Sequence, residues 1–198
     1  SSTVYQPANY SIRENQLDIN LEPYKIYQSV GWGYRYIEKL AQYYNENYRM
    51  NIKILRTTSI YGPYDNFNEE KSHVMPALIK RALSKENPFI VWGDKNVVRD
   101  FIYVEDLVKA VIKLINIKNL KHPINFSSSK GTSINILSNK ILKICKLNPK
   151  IIFNKSKPSS ASYRVLNNSL ANKILKIKKR TTLENGIKKT VRWFKNSL

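Results

Sequence analysis

The chain has 198 residues, 42% of them apolar, which suits one packed domain or one and a half, and its single cysteine, Cys145, excludes an internal disulfide framework and any multi-cysteine metal site. Its net charge of +20 is concentrated at one end: residues 1–110 carry 14 Lys/Arg and 13 Asp/Glu, whereas residues 111–198 carry 20 Lys/Arg and one acid, Glu184. With only His73 and His122 a zinc cluster is disfavoured, and the lack of an 18-residue apolar run or a signal-peptide pattern predicts a cytoplasmic protein without a membrane partner.

Val4 and Tyr5 suit the end of a strand, and residues 6–29, polar and Pro-containing, read as loop with a helical turn. A helix is predicted from about Gly31 to Arg49, with Trp32, Tyr36, Leu40 and Tyr44 on one face. Asn51 to Thr57 follows as a strand, with Ile52 and Ile54 on one side. Gly62 and Pro63 then force a turn, because Gly tolerates unusual φ and Pro fixes its own. A second helix is predicted over about Lys71 to Lys85, with Val74, Leu78 and Ala82 inward and Pro76 tolerated in its first turns.

Phe89 to Trp92 reads as a short strand and Phe101 to Val104 as another, leading into a helix with Leu107, Val111 and Leu114 on one stripe. Ile124 to Phe126 is a strand and Ser127 to Gly131 a turn. Ser133 caps a helix with Leu137, Ile141 and Ile144 inward. Ile151 to Phe153 is a brief strand, and residues 154–162 a polar loop. Thr181 and Glu184 make a capping box for a last helix, whose apolar face is Leu183, Ile187, Val191 and Phe194. The lysines of this half are not interleaved with aromatics in any nucleic-acid motif, so they are expected to coat solvated helix faces.

Strands alternating with helices predict an α/β fold with a parallel sheet, and the longer loops predict a smaller appended lobe. A dinucleotide fold also needs a Gly-rich turn after its first strand, yet neither G-x-G-x-x-G nor G-x-x-G-x-x-G occurs, and there are six glycines in all.

The wording of several segments resembles one family, the extended short-chain dehydrogenase/reductases that act on nucleotide sugars, and within it the GDP-L-fucose synthase-like members. Ser1-Ser2-Thr3-Val4-Tyr5 is similar to the Ser-Ser-x-x-Tyr ending the family's fifth strand. Leu55-Arg56-Thr57-Thr58-Ser59-Ile60-Tyr61-Gly62-Pro63 resembles Arg-Pro-x-Asn-x-Tyr-Gly-Pro, with Thr57 for the Pro and Ser59 for the Asn. Ser72-His73-Val74-Met75-Pro76, Trp92-Gly93 and Arg99-Asp100-Phe101-Ile102-Tyr103-Val104-Glu105-Asp106 follow in family order. Arg164 and Asn167 stand for a late Arg-x-x-Asp.

The resemblance implies the C-terminal portion of an extended Rossmann-type parallel sheet, first half absent, plus a small α/β substrate-binding lobe. Residues 1–62 and 99–130 would belong to the sheet domain, and 63–98 and 131–198 to the lobe. It implies NAD or NADP as cofactor, with Thr57, Thr58 and Ser59 along the nicotinamide, and a nucleotide-diphosphate sugar as substrate. Asn66, Ser72, Arg81, Trp92, Arg99 and Arg164 would bind that sugar. Ser1 would bond the reacting hydroxyl, and Thr3 and His73 would serve carbon-acid steps. It also implies a homodimer, or pairing with a homologue, through the helix near 31–49.

Family chemistry rests on Tyr-x-x-x-Lys, whose spacing puts both side chains on one helix face, so that the ammonium lowers the phenol's pKa. None of the thirteen tyrosines here has a lysine four residues later. Counting from Tyr44 and Tyr61 puts the pair at Val30 and Tyr34. The alternative register starts at Tyr24 and meets Gln28 in place of lysine. Tyr24, Tyr27 and Tyr34 are the candidates for a relocated acid/base. Two readings follow, a nucleotide-sugar epimerase, dehydratase or reductase, or a sugar-nucleotide-binding remnant without turnover.

Overall fold

The computed structural model describes residues 1–68, 71–118, 120, 122–156, 161–177 and 179–197. In chain order its elements are α1 (Gln28–Tyr48), β1 (Leu55–Arg56), β2 (Ser59–Tyr61), α2 (Val74–Leu83), β3 (Phe89–Trp92), β4 (Val98–Tyr103), α3 (Val104–Ile115) and β5 (Ile124–Asn125). They continue with β6 (Gly131–Ser133), α4 (Ile134–Cys145), β7 (Ile151–Asn154), β8 (Tyr163–Arg164), α5 (Ser169–Leu175) and α6 (Leu183–Lys195). β4 is the hub, parallel to β2 and β8 and antiparallel to β6. Two further parallel pairs flank it, β1 with β5 and β3 with β7. This is the mixed α/β architecture with parallel pairing that the alternation of elements predicts.

Successive side chains of a strand point to opposite faces, and β4 uses both. Phe101 and Tyr103 enter a core with Leu78 and Ile79 of α2, Leu137 and Ile141 of α4, and Ile187 and Phe194 of α6. Ile102 enters a second core with Ala110 and Leu114 of α3, Ile124, Phe126, and Ala171 and Leu175 of α5. Burying such side chains contributes about 1.5–3 kcal/mol each, so β4 is clamped from both sides and holds its N-terminal residue pair, Val98 and Arg99, in place.

Three local expectations are corrected. Val4 closes a 3-10 turn over Ser2–Val4 rather than a strand, with one sheet-like bond from Ser2 N–H to the Thr57 carbonyl at 2.9 Å. The strand expected over 51–57 shrinks to Leu55–Arg56, because its partner β5 is only two residues long and the Asn45 side chain clamps Ile52 N–H and C=O at 2.8 Å each. Thr182, not Thr181, caps α6, accepting from Asn185 N–H at 3.3 Å.

α1 buries Gly31, Arg35 and Ala41, and the face of Trp32, Tyr36, Leu40 and Tyr44 is exposed to solvent. Gly31 lies against Pro23 and the Thr3 carbonyl, where a Cβ would come within 2.6 Å. Arg35 fills the next gap by donating to the Val4 and Leu21 carbonyls at 2.7 Å. A helix this close to its support buries its small residues and its hydrogen-bonding ones. Elsewhere the predicted helices and strands fall within a few residues of their places, with Ser133 capping α4 as expected. Of the loop expected over 154–162, residues 157–160 lie outside the described residues.

Candidate active site

The ends of the parallel strands open onto one cleft of about 790 Å³. Thr57 and Thr58 form the step between β1 and β2, and Tyr61 then leads into Gly62. There the backbone adopts a φ of +152° and passes so close to Val104 that a Cβ would stand 2.5 Å from its Cγ1. Only glycine allows that approach, so the following residues, Pro63 to Asp65, line the cleft.

Most of the residues singled out in the sequence meet here. Ser1 and Thr3 line the cleft from the N-terminal turn, with the Thr3 hydroxyl donating to Ser1 Oγ at 3.0 Å. Thr57, Thr58 and Ser59 form its floor, and Ser72 and His73 come from the segment entering α2. Arg81 and Trp92 form one wall. The Arg81 guanidinium lies 4.9 Å over the indole and donates to the Ile90 carbonyl at 2.5 Å, and Trp92 as a whole is half exposed. Arg99 and Arg164 line the cleft from β4 and β8.

Three expected residues stand apart. The Tyr24 hydroxyl donates to the Tyr163 carbonyl at 2.6 Å and accepts from Ala8 N–H at 3.0 Å, bracing two loops outside the cleft. Tyr34 points to solvent from α1, and Asn66 is exposed, its side-chain oxygen accepting from Asn68 N–H at 2.9 Å. Val30, at the register counted back from Tyr61, does line the cleft.

Two cleft residues were not singled out as binding groups. Tyr27 stands three residues before Val30, one helical turn away on the same face. Its ring lies under the Arg164 guanidinium at 4.9 Å, and its hydroxyl hydrogen-bonds Arg99. Asp65 follows the Gly62-Pro63 turn. In hindsight the spacing from Val30 and the adjacency to the turn were the available signals.

The electrostatics are those of an anion site. Arg99 and Arg164 are partners in register on adjacent parallel strands, which places their backbones roughly 4.8 Å apart. Arg99 is 4% exposed, and burial, followed by the Arg164 charge beside it, lowers its guanidinium to about 10. An anion between the two relieves both penalties, and guanidinium forks suit phosphate oxygens.

The orphaned polar atoms point the same way. Among the described residues six buried side-chain polar atoms have no hydrogen-bond partner, and five of them belong to cleft residues: Thr57 Oγ1, Thr58 Oγ1, Asp65 Oδ2, Ser72 Oγ and Arg164 Nε. Each such atom costs about 1–3 kcal/mol unless something hydrogen-bonds it. Their concentration in one cleft marks a place built for a polar occupant.

Comparison with known proteins now decides the family. Residues 1–127 match the model of the NAD dependent epimerase/dehydratase family. The chain belongs to that family. It is 29% identical over 214 residues to the GDP-L-fucose synthase of Escherichia coli, covering 98% of this chain and 64% of that protein. A putative UDP-glucose 4-epimerase of Methanocaldococcus jannaschii is 31% identical over 195 residues, covering 98% and 60%. The chain thus spans between about half and two-thirds of the curated relatives it matches.

The fold is shared with a GDP-L-fucose synthetase from Naegleria fowleri, at a TM-score of 0.86 and 24% identity over 98% of this chain and 63% of that one. It is shared too with a GDP-6-OMe-4-keto-L-xylo-heptose reductase from C. jejuni, at 0.88 and 24% over 100% and 69%. The family is NAD-dependent, and the residues here fit one end of that cofactor. Thr57 and Thr58 present buried hydroxyls without partners on the cleft floor, which suit a carboxamide. The Gly-rich turn for the cofactor's pyrophosphate does not occur in the sequence.

Proposed function

We propose that this chain binds a nucleoside-diphosphate sugar in the cleft, with the diphosphate on Arg99 and Arg164 and the sugar running towards Ser1, Ser72 and His73. The observation that carries this is the set of five orphaned buried polar atoms on cleft residues beside two like-charged arginines. Sugar hydroxyls and phosphate oxygens offer the donors and acceptors those atoms lack. Trp92, half exposed on the cleft wall beside Arg81, would border the substrate. The relatives described above include a GDP-L-fucose synthase and a putative UDP-glucose 4-epimerase, both named for nucleotide sugars.

The same reading holds that the chain does not transfer the hydroxyl proton in the family's manner. By the count from Tyr44 and Tyr61, Val30, which lines the cleft, would stand for the tyrosine and Tyr34 for the lysine, so that neither the phenol nor the ammonium that tunes it would be available there. Thr57, Thr58 and Ser59 would hold the nicotinamide end of NAD or NADP, which in this family accepts hydride from the sugar. His73 and Thr3 border the sugar and would move protons at its carbon atoms.

The division into a sheet part, 1–62 with 99–130, and a substrate lobe, 63–98 with 131–198, is part of this proposal, with α5 reaching back from the lobe's sequence to the sheet core. The exposed Tyr36, Leu40 and Tyr44 face of α1 is the proposed surface for a second copy or a homologue, and a cytoplasmic location is assumed. No helix among the described residues is long and apolar enough to cross a membrane.

Thermal-shift titration with GDP- and UDP-sugars against NAD and NADP tests the reading. Stabilisation by a sugar nucleotide is expected. Stabilisation by NAD(P) with no response to any sugar nucleotide would reject it.

A further inference from the structure

The cleft contains one carboxylate whose buried oxygen has nothing to bind. Asp65 accepts from Asn66 N–H through Oδ1 at 2.8 Å, while its Oδ2 is buried and has no partner among the described residues. Burial raises its pKa above the ordinary 3.8, opposed in part by that backbone bond and by the nearby His73 ring. An ionised carboxylate is acceptor-only, so what completes Oδ2 must be a donor. No Lys or Arg is ion-paired to Asp65 among the described residues.

Position narrows the donor's chemistry. Asp65 lies on the same loop as Gly62, whose close approach to Val104 pins the turn, so the carboxylate is delivered to the cleft by the backbone. In the reading proposed above Arg99 and Arg164 hold the diphosphate, an anion that a carboxylate repels. The group presented to Asp65 is therefore a neutral donor attached to that anion. A sugar hydroxyl has the required lone O–H, and it leaves its own oxygen free to accept.

We propose that Asp65 is a sugar-binding residue, its unpartnered Oδ2 accepting a hydrogen bond from a hydroxyl of the sugar in a nucleoside-diphosphate sugar. The assignment rests on the diphosphate reading and adds the residue that senses the sugar itself. Asn66 carries no such role, since it stands exposed outside the cleft.

The test is calorimetric titration of the whole chain and of Asp65→Asn and Asp65→Ala with GDP, GDP-mannose, UDP and UDP-glucose. Both variants are expected to bind the nucleoside diphosphates as the parent does. They lose about tenfold to a hundredfold in affinity for the sugar nucleotide that the parent binds, the range for a hydrogen bond to a charged group. Removing the desolvated charge should also raise the unliganded Tm of Asp65→Asn, which shows that this variant is folded. If both variants bind the sugar nucleotide as tightly as the parent, the assignment is overturned alone. If the parent binds no nucleoside diphosphate and no sugar nucleotide, the diphosphate reading falls and takes the assignment with it.

Discussion

Replacing Arg99 by methionine separates stability from binding. Arg99 is 4% exposed and held at about 10 against an ordinary 12.5, with burial the main cause and Arg164 the next. That lowering corresponds to about 3 kcal/mol against the charged form. The sign follows from linkage: a guanidinium depressed in the native state is held more tightly by the unfolded chain, so the deficit is fully present at neutral pH. Methionine keeps the apolar stem and removes the charge. It forfeits the bond to the Val98 carbonyl, at 2.7 Å, about 1 kcal/mol, while the bond to Tyr27 is already contained in the lowered value. A net gain of about 2 kcal/mol is left, and the unliganded Tm should rise by about 4–8 °C. Diphosphate affinity should fall about tenfold to a hundredfold, since a charge-assisted bond contributes about 1.5–3 kcal/mol. Scanning calorimetry and titration with GDP or UDP at fixed salt measure both. A variant that melts below the parent yet binds nucleoside diphosphate equally well would refute the reasoning.

Three further outcomes are expected. Glu38→Ala strands Arg56, which is 4% exposed and paired to Glu38 at 2.6 Å, and should cost about 3–5 kcal/mol in denaturant unfolding. Gly31→Ala drives a Cβ to 2.6 Å from the Thr3 carbonyl and from Pro23; it should cost about 1–3 kcal/mol and weaken ligand binding, because Ser1 and Thr3 shift with α1. In a chain extended with the N-terminal half of a relative, Val30→Tyr with Tyr34→Lys should produce NAD(P)H from a sugar nucleotide where the unaltered pair of residues does not. Equal rates would place proton transfer on another residue.

The sequence was most legible where pattern and covalent constraint coincide. Phe89 to Trp92 and the Ser133 cap sit where predicted, and the Gly62-Pro63 turn delivers its neighbours to the cleft as its backbone demands. The order of motifs also placed the arginines of β4 and β8 in one site, although 65 residues separate them and only the strand register brings them together. Periodicity found the face of α1 but not its fate. An aromatic stripe suits a core or a pairing surface equally, and what settles it is that the helix is held by Gly31 and Arg35 on the other side, a close approach of backbones with no hydrophobic signature. Asp65 and Tyr27 were missed as binding groups for a similar reason: what marks them is an absent partner and a neighbouring charge, both set by tertiary contacts.

Saturation-transfer NMR on the native chain, mixed with a sugar nucleotide and NAD(P), addresses retained binding and missing turnover in a single sample. The sugar protons should receive saturation from the protein while the anomeric signals stay unchanged over hours. New anomeric signals, or sugar protons that receive no saturation at all, would contradict it.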